Sequence, residues 1–282
     1  MNNSIGNITS SEVPSTNHTT KDILILESLR IGVASFNLII GIPTHSFVLW
    51  LIATGRGSGI ASEFSILNLT ICEKLFSLNS LVFLLSKMFP SLLTLQRFLL
   101  GLGITGRPLF HCLICVERYL AVVHPVTFLK FKPLRYKMVC SIAIWLISFG
   151  SCLVCMITFL LSNMRAFAWF FSLQFILFLS IQLFCLSAVL RALKQSGPGE
   201  RRREREEENH MKRRAFYLIL ITTLTMVMMF VPLIITGFLT VLQNQAASII
   251  WFISFFCFIL AGFLQPVLYL HRTVKLLCLC SP

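Results

Sequence analysis

Seven apolar stretches of roughly 20 to 27 residues follow one another along this chain. At about 1.5 Å of rise per residue each is long enough to cross a hydrocarbon core of about 30 Å as a helix. They run over Leu29–Ala53, Ser65–Met88, Arg97–Val122, Met138–Leu161, Trp169–Leu193, Ala215–Leu242 and Ile249–His271. A chain of 282 residues that is 56% hydrophobic and only 12% charged cannot hide that much apolar surface in one soluble core. The chain therefore reads as an all-α membrane protein, a seven-transmembrane helix bundle. An odd number of crossings puts the two termini on opposite sides. Residues 1–28 read as a polar, disordered tail, 29–271 as the membrane domain and 272–282 as a short second tail.

The net charge of +13 would suit an anionic partner, so the distribution of the charges has to decide. On this topology 17 of the 24 Lys and Arg fall in segments at one face, which the positive-inside pattern makes cytoplasmic. Lys130, Lys132, Arg135 and Lys137 crowd the connection after the third stretch. Nine Lys or Arg lie between Arg191 and Arg214, around the charged run GERRREREEENHMKRR. Arg202 with Glu206 and Arg203 with Glu207 stand at helical spacing there, as a solvated helix would have them. The N-terminus is then outside, where Asn2, Asn7 and Asn17 head three glycosylation sequons. A further sequon at Asn68 lies inside a span, beyond reach. The basic and aromatic interleaving of a nucleic-acid module is absent. Ten cysteines show no disulfide framework, but Cys278 and Cys280, beside a basic patch at the inner face, are palmitoylation candidates.

The motifs lie at helix ends and kinks. Glu117-Arg118-Tyr119, followed by His124-Pro125, closes the third stretch; Trp145 stands in the fourth; Phe230-Val231-Pro232 stands in the sixth; Gln265-Pro266-Val267-Leu268-Tyr269 stands in the seventh. A proline inside a helix removes a backbone hydrogen bond and kinks it, which gives the inner half of that helix a pivot. Together these residues resemble the rhodopsin-like G-protein-coupled receptors over about Leu29 to Leu277. The wording from Gly106 to Lys137 is most similar to the purinergic and protease-activated branch. The chain departs from the family pattern in carrying Glu for Asp at 117, Phe for Trp at 230 and Gln for Asn at 265. It also lacks a cysteine at the outer end of the third stretch for the family's outer disulfide, and has almost no second outer loop.

The resemblance implies a multi-pass receptor of the plasma membrane that binds an extracellular ligand, of unidentified class, in the outer half of the bundle and activates a heterotrimeric G protein inside. Its expected partners are that ligand, the G protein and the lipid bilayer, with no nucleic acid, no metal and no cofactor. In this reading Arg118, flanked by Glu117 and Tyr119, holds the resting state and then meets the G protein. Phe230 and Pro232 are the switch and pivot of the sixth helix, and Gln265, Pro266 and Tyr269 form the seventh-helix switch. Phe98, Gly101, Gln174, Phe238 and Trp251 are the ligand-lining candidates besides Phe230, and Lys87, Arg97 and Arg165 are rim cations able to attract an anion. Two other classes stay open: a receptor-like fold without signalling, and a small transporter or channel, which would show paired halves or broken helices with midplane polar sites. An enzyme would need catalytic His, Asp or Glu groups at workable spacing, and the sequence offers none.

Two intramembrane charges stand apart from these motifs. Arg107 lies 11 residues before Arg118 and Glu73 eight residues after Ser65. At about 1.5 Å per residue both are thus roughly 12 to 16 Å in from the same face. Charges at such depth are costly, so they are expected to face inward and pair. In the family the carboxylate matched by Glu73 helps bind a sodium ion, and the resemblance implies that Arg107 stands where a small polar residue is usual. Lys74 is the rival partner, turned about 100° away along the helix.

The orientation is directly testable. Glycosidase treatment shifts the electrophoretic mobility of the chain, and an epitope inserted at Gly199 stays unlabelled on intact cells; labelling there would reverse the topology.

Overall fold

The computed structural model of the chain describes residues 16–54, 60–131, 134–194, 202–243 and 248–279. Among them seven helices are long and apolar enough to span a membrane: α1 (Leu24–Ala53), α2 (Glu63–Ser86), α3 (Leu92–Val123), α4 (Leu134–Leu160), α5 (Arg165–Lys194), α6 (Ala215–Leu239) and α7 (Ile249–Leu270). The described residues contain no strand. Helix already starts at Thr16, so the end of the tail read as disordered, Asn17 included, is helical. Asn2, Asn7 and Cys280 lie outside the described residues. The charged stretch from Arg202 runs unbroken into α6, and α7 runs on to Leu279 past Cys278.

The helices close into a ring in chain order, with α7 returning to α1, while α3 also meets α6 across the middle. Burial shows the same centre: 72% of the most apolar stretch of α3 is inside protein, against at most 44% in any other span. The outer helices present Leu, Ile, Val and Phe outward, as lipid-facing surfaces require. α3 has no such face to spare, which is why its polar residues are met by protein.

Two π-helical turns interrupt the bundle, Asn37–Gly41 in α1 and Leu102–Gly106 in α3. Each ends two residues before a proline, Pro43 and Pro108. A proline ring clashes with the carbonyl four residues earlier, here Ile39 and Ile104, and cannot donate to it. Widening the preceding turn by one residue relieves the clash without ending the helix. The inserted residue rotates everything before it by about 100° relative to a regular helix.

α4 and α5 are joined by a turn of only Leu161, Ser162 and Asn163. Leu161 N–H donates to the Ile157 carbonyl at 2.9 Å and Asn163 N–H to the Thr158 carbonyl at 2.9 Å. The Asn163 side chain then caps α5 by accepting from Ala166 N–H at 3.0 Å. So short a link leaves no loop between these helices to lie across the bundle end. Its cost is Ser162, whose φ of 51° is left-handed. That conformation costs a non-glycine residue roughly 1–2 kcal/mol. Ser162→Gly should therefore raise the thermal unfolding midpoint of the solubilised protein and Ser162→Val lower it; equal midpoints would show that the turn carries no such strain.

Candidate functional site

The chemistry gathers around α3, at three levels. The middle level is an ion pair. Arg107, directly after the α3 π-turn, is the largest fully buried side chain, 1% exposed, and its Nη2 pairs with Glu73 Oε2 of α2, also 1% exposed. Its Nη1 donates to the Phe258 carbonyl of α7 at 3.4 Å. The guanidinium lies against two rings, 4.1 Å from the centroid of Phe76 and 4.8 Å from that of Phe258. Arg107 thus joins three helices by charge, hydrogen bond and ring contact. Lys74 is half-buried and forms no ion pair among the described residues.

The pair fits only because α7 presents glycine to it. A Cβ on Gly262 would lie 2.8 Å from Arg107 Nη2 and 3.1 Å from Glu73 Oε2. On α3, Gly103 likewise clears Phe76, whose Cδ2 would stand 2.4 Å from an added Cβ. Sequence reading reached Glu73 and Arg107 from depth and cost, but not Phe76, Phe258 or Gly262. A signal existed in α7, where Phe258, Gly262, Gln265 and Tyr269 recur at helical spacing on one face.

Above the pair, toward the end where α1 begins, lies a cavity of about 410 Å³. Its floor is aromatic: Phe76 meets Phe258 edge-on at 5.2 Å, Phe258 meets Phe230 at 6.0 Å, and Phe230 stacks on Phe175 at 5.5 Å. Phe230 is two residues before Pro232, whose carbonyl accepts from Ser254 of α7 at 3.0 Å and from Thr236 at 2.7 Å. The proline kink is therefore tied to α7.

Of the ligand-lining candidates, Phe230 and Trp251 border this cavity, while Phe98, Gly101, Gln174 and Phe238 do not. Phe98 packs against the apolar cluster that includes Cys152 of α4, and a Cβ on Gly101 would be 2.7 Å from Cys152 Cα, so both lie on the side of α3 away from the cavity. The cause is the π-turn that follows them: the extra residue turns them away and brings Gln96, Leu100 and Ile104 to the cavity. Gln174 is held by Thr105 at 2.9 Å and Ser151 at 3.2 Å, and Phe238 stands against Trp169 at 5.6 Å. The rim cations are not in the wall either. Lys87 pairs with Glu27, and Arg97 lies 5.7 Å over the Phe159 ring. Arg30 of α1, which sequence reading did not single out, is the cation that borders the cavity.

At the opposite end, Glu117 accepts from Ser65 of α2 at 2.6 Å and pairs with Lys137 of α4 at 3.5 Å. Lys137, grouped by sequence with the loop cations, is inside α4 and buried. Arg118 is half-buried beside them. Tyr119 Oη and His124 Nε2 are 3.0 Å apart, and the Tyr119 ring is 5.6 Å from Phe184 of α5. Tyr269 donates to Glu63 of α2 at 2.8 Å, so the seventh-helix motif is fastened to α2. Pro266 is buried next to it, and Gln265 is half-buried with no hydrogen bond among the described residues. Trp145 donates to Asn68 at 3.0 Å, joining α4 to α2.

The description "7 transmembrane receptor (rhodopsin family)" belongs to the family whose sequence pattern matches residues 45–167. A somatostatin-like receptor of Takifugu rubripes is 27% identical to the chain over 118 residues, 39% of this chain and 40% of that receptor. The chain thus spans about 40% of the length of the curated relative it matches.

The pair and its glycine can be tested together. Gly262→Ala forces overpacking against the ions and should cost about 1–3 kcal/mol of stability, read as a lower unfolding midpoint. Gly150→Ala, where an added Cβ meets nothing within 4 Å, should leave the midpoint unchanged or slightly raised. Equal behaviour of the two variants would contradict the close approach.

Proposed function

We propose that the chain is a receptor of the rhodopsin-like seven-transmembrane family, whose pattern matches residues 45–167, and that it binds an extracellular ligand in the aromatic cavity and activates a heterotrimeric G protein at its Glu117 end. The observation that carries this reading is continuity. The ring of Phe230 in the cavity floor touches Phe258, and Phe258 holds Arg107 by its ring and its carbonyl. A ligand that moves Phe230 therefore acts on the contact that ties α7 to α3. Pro232 lies in α6 two residues on, so the same movement bends α6 about its kink.

In this mechanism the resting state is a set of ties between helices at the Glu117 end. Ser65 and Lys137 hold Glu117, and Glu63 holds Tyr269. Outward movement of α6 opens the space next to Arg118, which then serves the G protein, and release of Tyr269 lets α7 follow. The receptor is a multi-pass protein of the plasma membrane, with its amino-terminal sequons outside and the short tail, carrying Cys278 and Cys280, inside. A sodium ion does not fit beside Glu73, because the Arg107 guanidinium already neutralises that carboxylate. No step of this mechanism uses one.

The test is a ligand-library screen in cells carrying promiscuous G proteins, read as calcium release. Arg118→Ala should abolish the response at unchanged surface level. Phe230→Ala should lower the response per receptor at the surface by at least several-fold; an equal response per receptor would sink the switch role of Phe230.

A further inference from the structure

We infer that the cavity's ligand is an amphipathic organic anion, an apolar body with one carboxylate or comparable oxyanion head paired to Arg30. This rests on the reading above that the cavity is the ligand site. A cavity of about 410 Å³ is of small-molecule size. Eight phenylalanines border it, so most of what it holds must be apolar.

The polar groups are unevenly placed. Arg30 lies on α1, Asn79 and Ser80 on α2 and Gln96 on α3, whereas α5 to α7 contribute only Ser172 and the indole of Trp251 among ten further side chains and a glycine that are otherwise apolar. Asn37 of α1 donates to Ser80 of α2 at 2.8 Å, so Arg30, seven residues before Asn37, stands about 10 Å nearer the start of α1 than Asn79 and Ser80 at about 1.5 Å per residue. The cavity has a polar corner at α1 and α2 and an aromatic remainder.

Two observations in that corner ask for a ligand. Arg30 is the charged residue in the wall and forms no ion pair among the described residues; Glu27, one turn earlier in α1, is taken by Lys87. Asn79 is 5% exposed, and its Oδ1 is buried without a hydrogen-bond partner. A guanidinium in the wall of a largely apolar cavity is expected to face a partner or water. No lining residue carries a negative charge. A cationic ligand would be repelled and a neutral one would leave the guanidinium unpaired, while an oxyanion receives its two-pronged donation; the Asn79 Oδ1, an acceptor, calls instead for a hydroxyl or other donor on the body of the ligand.

The test compares dodecanoate, dodecanol and dodecylamine, three probes with the same chain and different heads, on the purified full-length receptor in nanodiscs. Unfolding is followed with a thiol-reactive dye, since six of the eight cysteines whose side chains are described are buried and become accessible on melting. Dodecanoate should raise the midpoint and the other two should not. In Arg30→Gln the concentration of dodecanoate needed for half of the shift should rise at least tenfold, with Arg30→Lys between the two. Midpoints without probe establish that the variants fold. An equal shift by dodecanol, an unchanged Arg30→Gln, or no shift by any probe would overturn the inference. Binding is read here without a G protein, so a carboxylate that binds through Arg30 yet evokes no signal in cells overturns the signalling reading and leaves the ligand class standing.

Discussion

The Arg107 guanidinium must be neutralised where it lies, because a charge held within a membrane costs at least about 2.5–3.5 kcal/mol even on lenient scales. That demand organises the bundle. Glu73 has to come from α2, the Phe258 carbonyl from α7, and two rings have to pack against the cation, so α2 and α7 converge on one buried group of α3. Gly262 and Gly103 remove the side chains that would obstruct the convergence. Pro108, next to the arginine, forces the π-turn that sets the face from which the upper part of α3 meets the cavity.

Function, on this account, follows from what rests on the pair. The cavity floor is made of the two rings that contact Arg107 and of Phe230, which touches Phe258. At the other end the ties of Glu117 and Tyr269 to α2 and α4 are polar contacts between helices, of a kind that can be exchanged for contacts with a partner. The same α2 therefore serves both levels: Glu73 anchors α3 at mid-depth and Glu63 anchors α7 at the end.

The seven crossings were legible because apolar runs of spanning length admit few alternatives in a membrane. The buried pair was legible for a related reason, since two costly charges at matching depth have strong cause to meet. The cavity wall was read less well. Phe98 and Gly101 were placed by their position in the outer half of the third span, and the extra residue before Pro108 sets which face of that segment meets the cavity; two prolines following polar or glycine-containing turns were the available warning. Gln174 was misplaced because its amide is consumed by Thr105 and Ser151, hydrogen bonds between helices that spacing along one chain segment cannot reveal. Arg30 went unnoticed because a cation near a helix end reads as reaching for the interface.

The most direct measurement of the central claim is a double-mutant cycle on unfolding stability with Glu73→Gln, Arg107→Ser and the combination. Breaking a buried pair from one side strands the other charge, so each single change should cost about 3–5 kcal/mol. The double variant, with no charge left to strand, should cost clearly less than the sum of the two. Additive losses would mean that the two charges do not stabilise each other and that the convergence of α2, α3 and α7 has another cause.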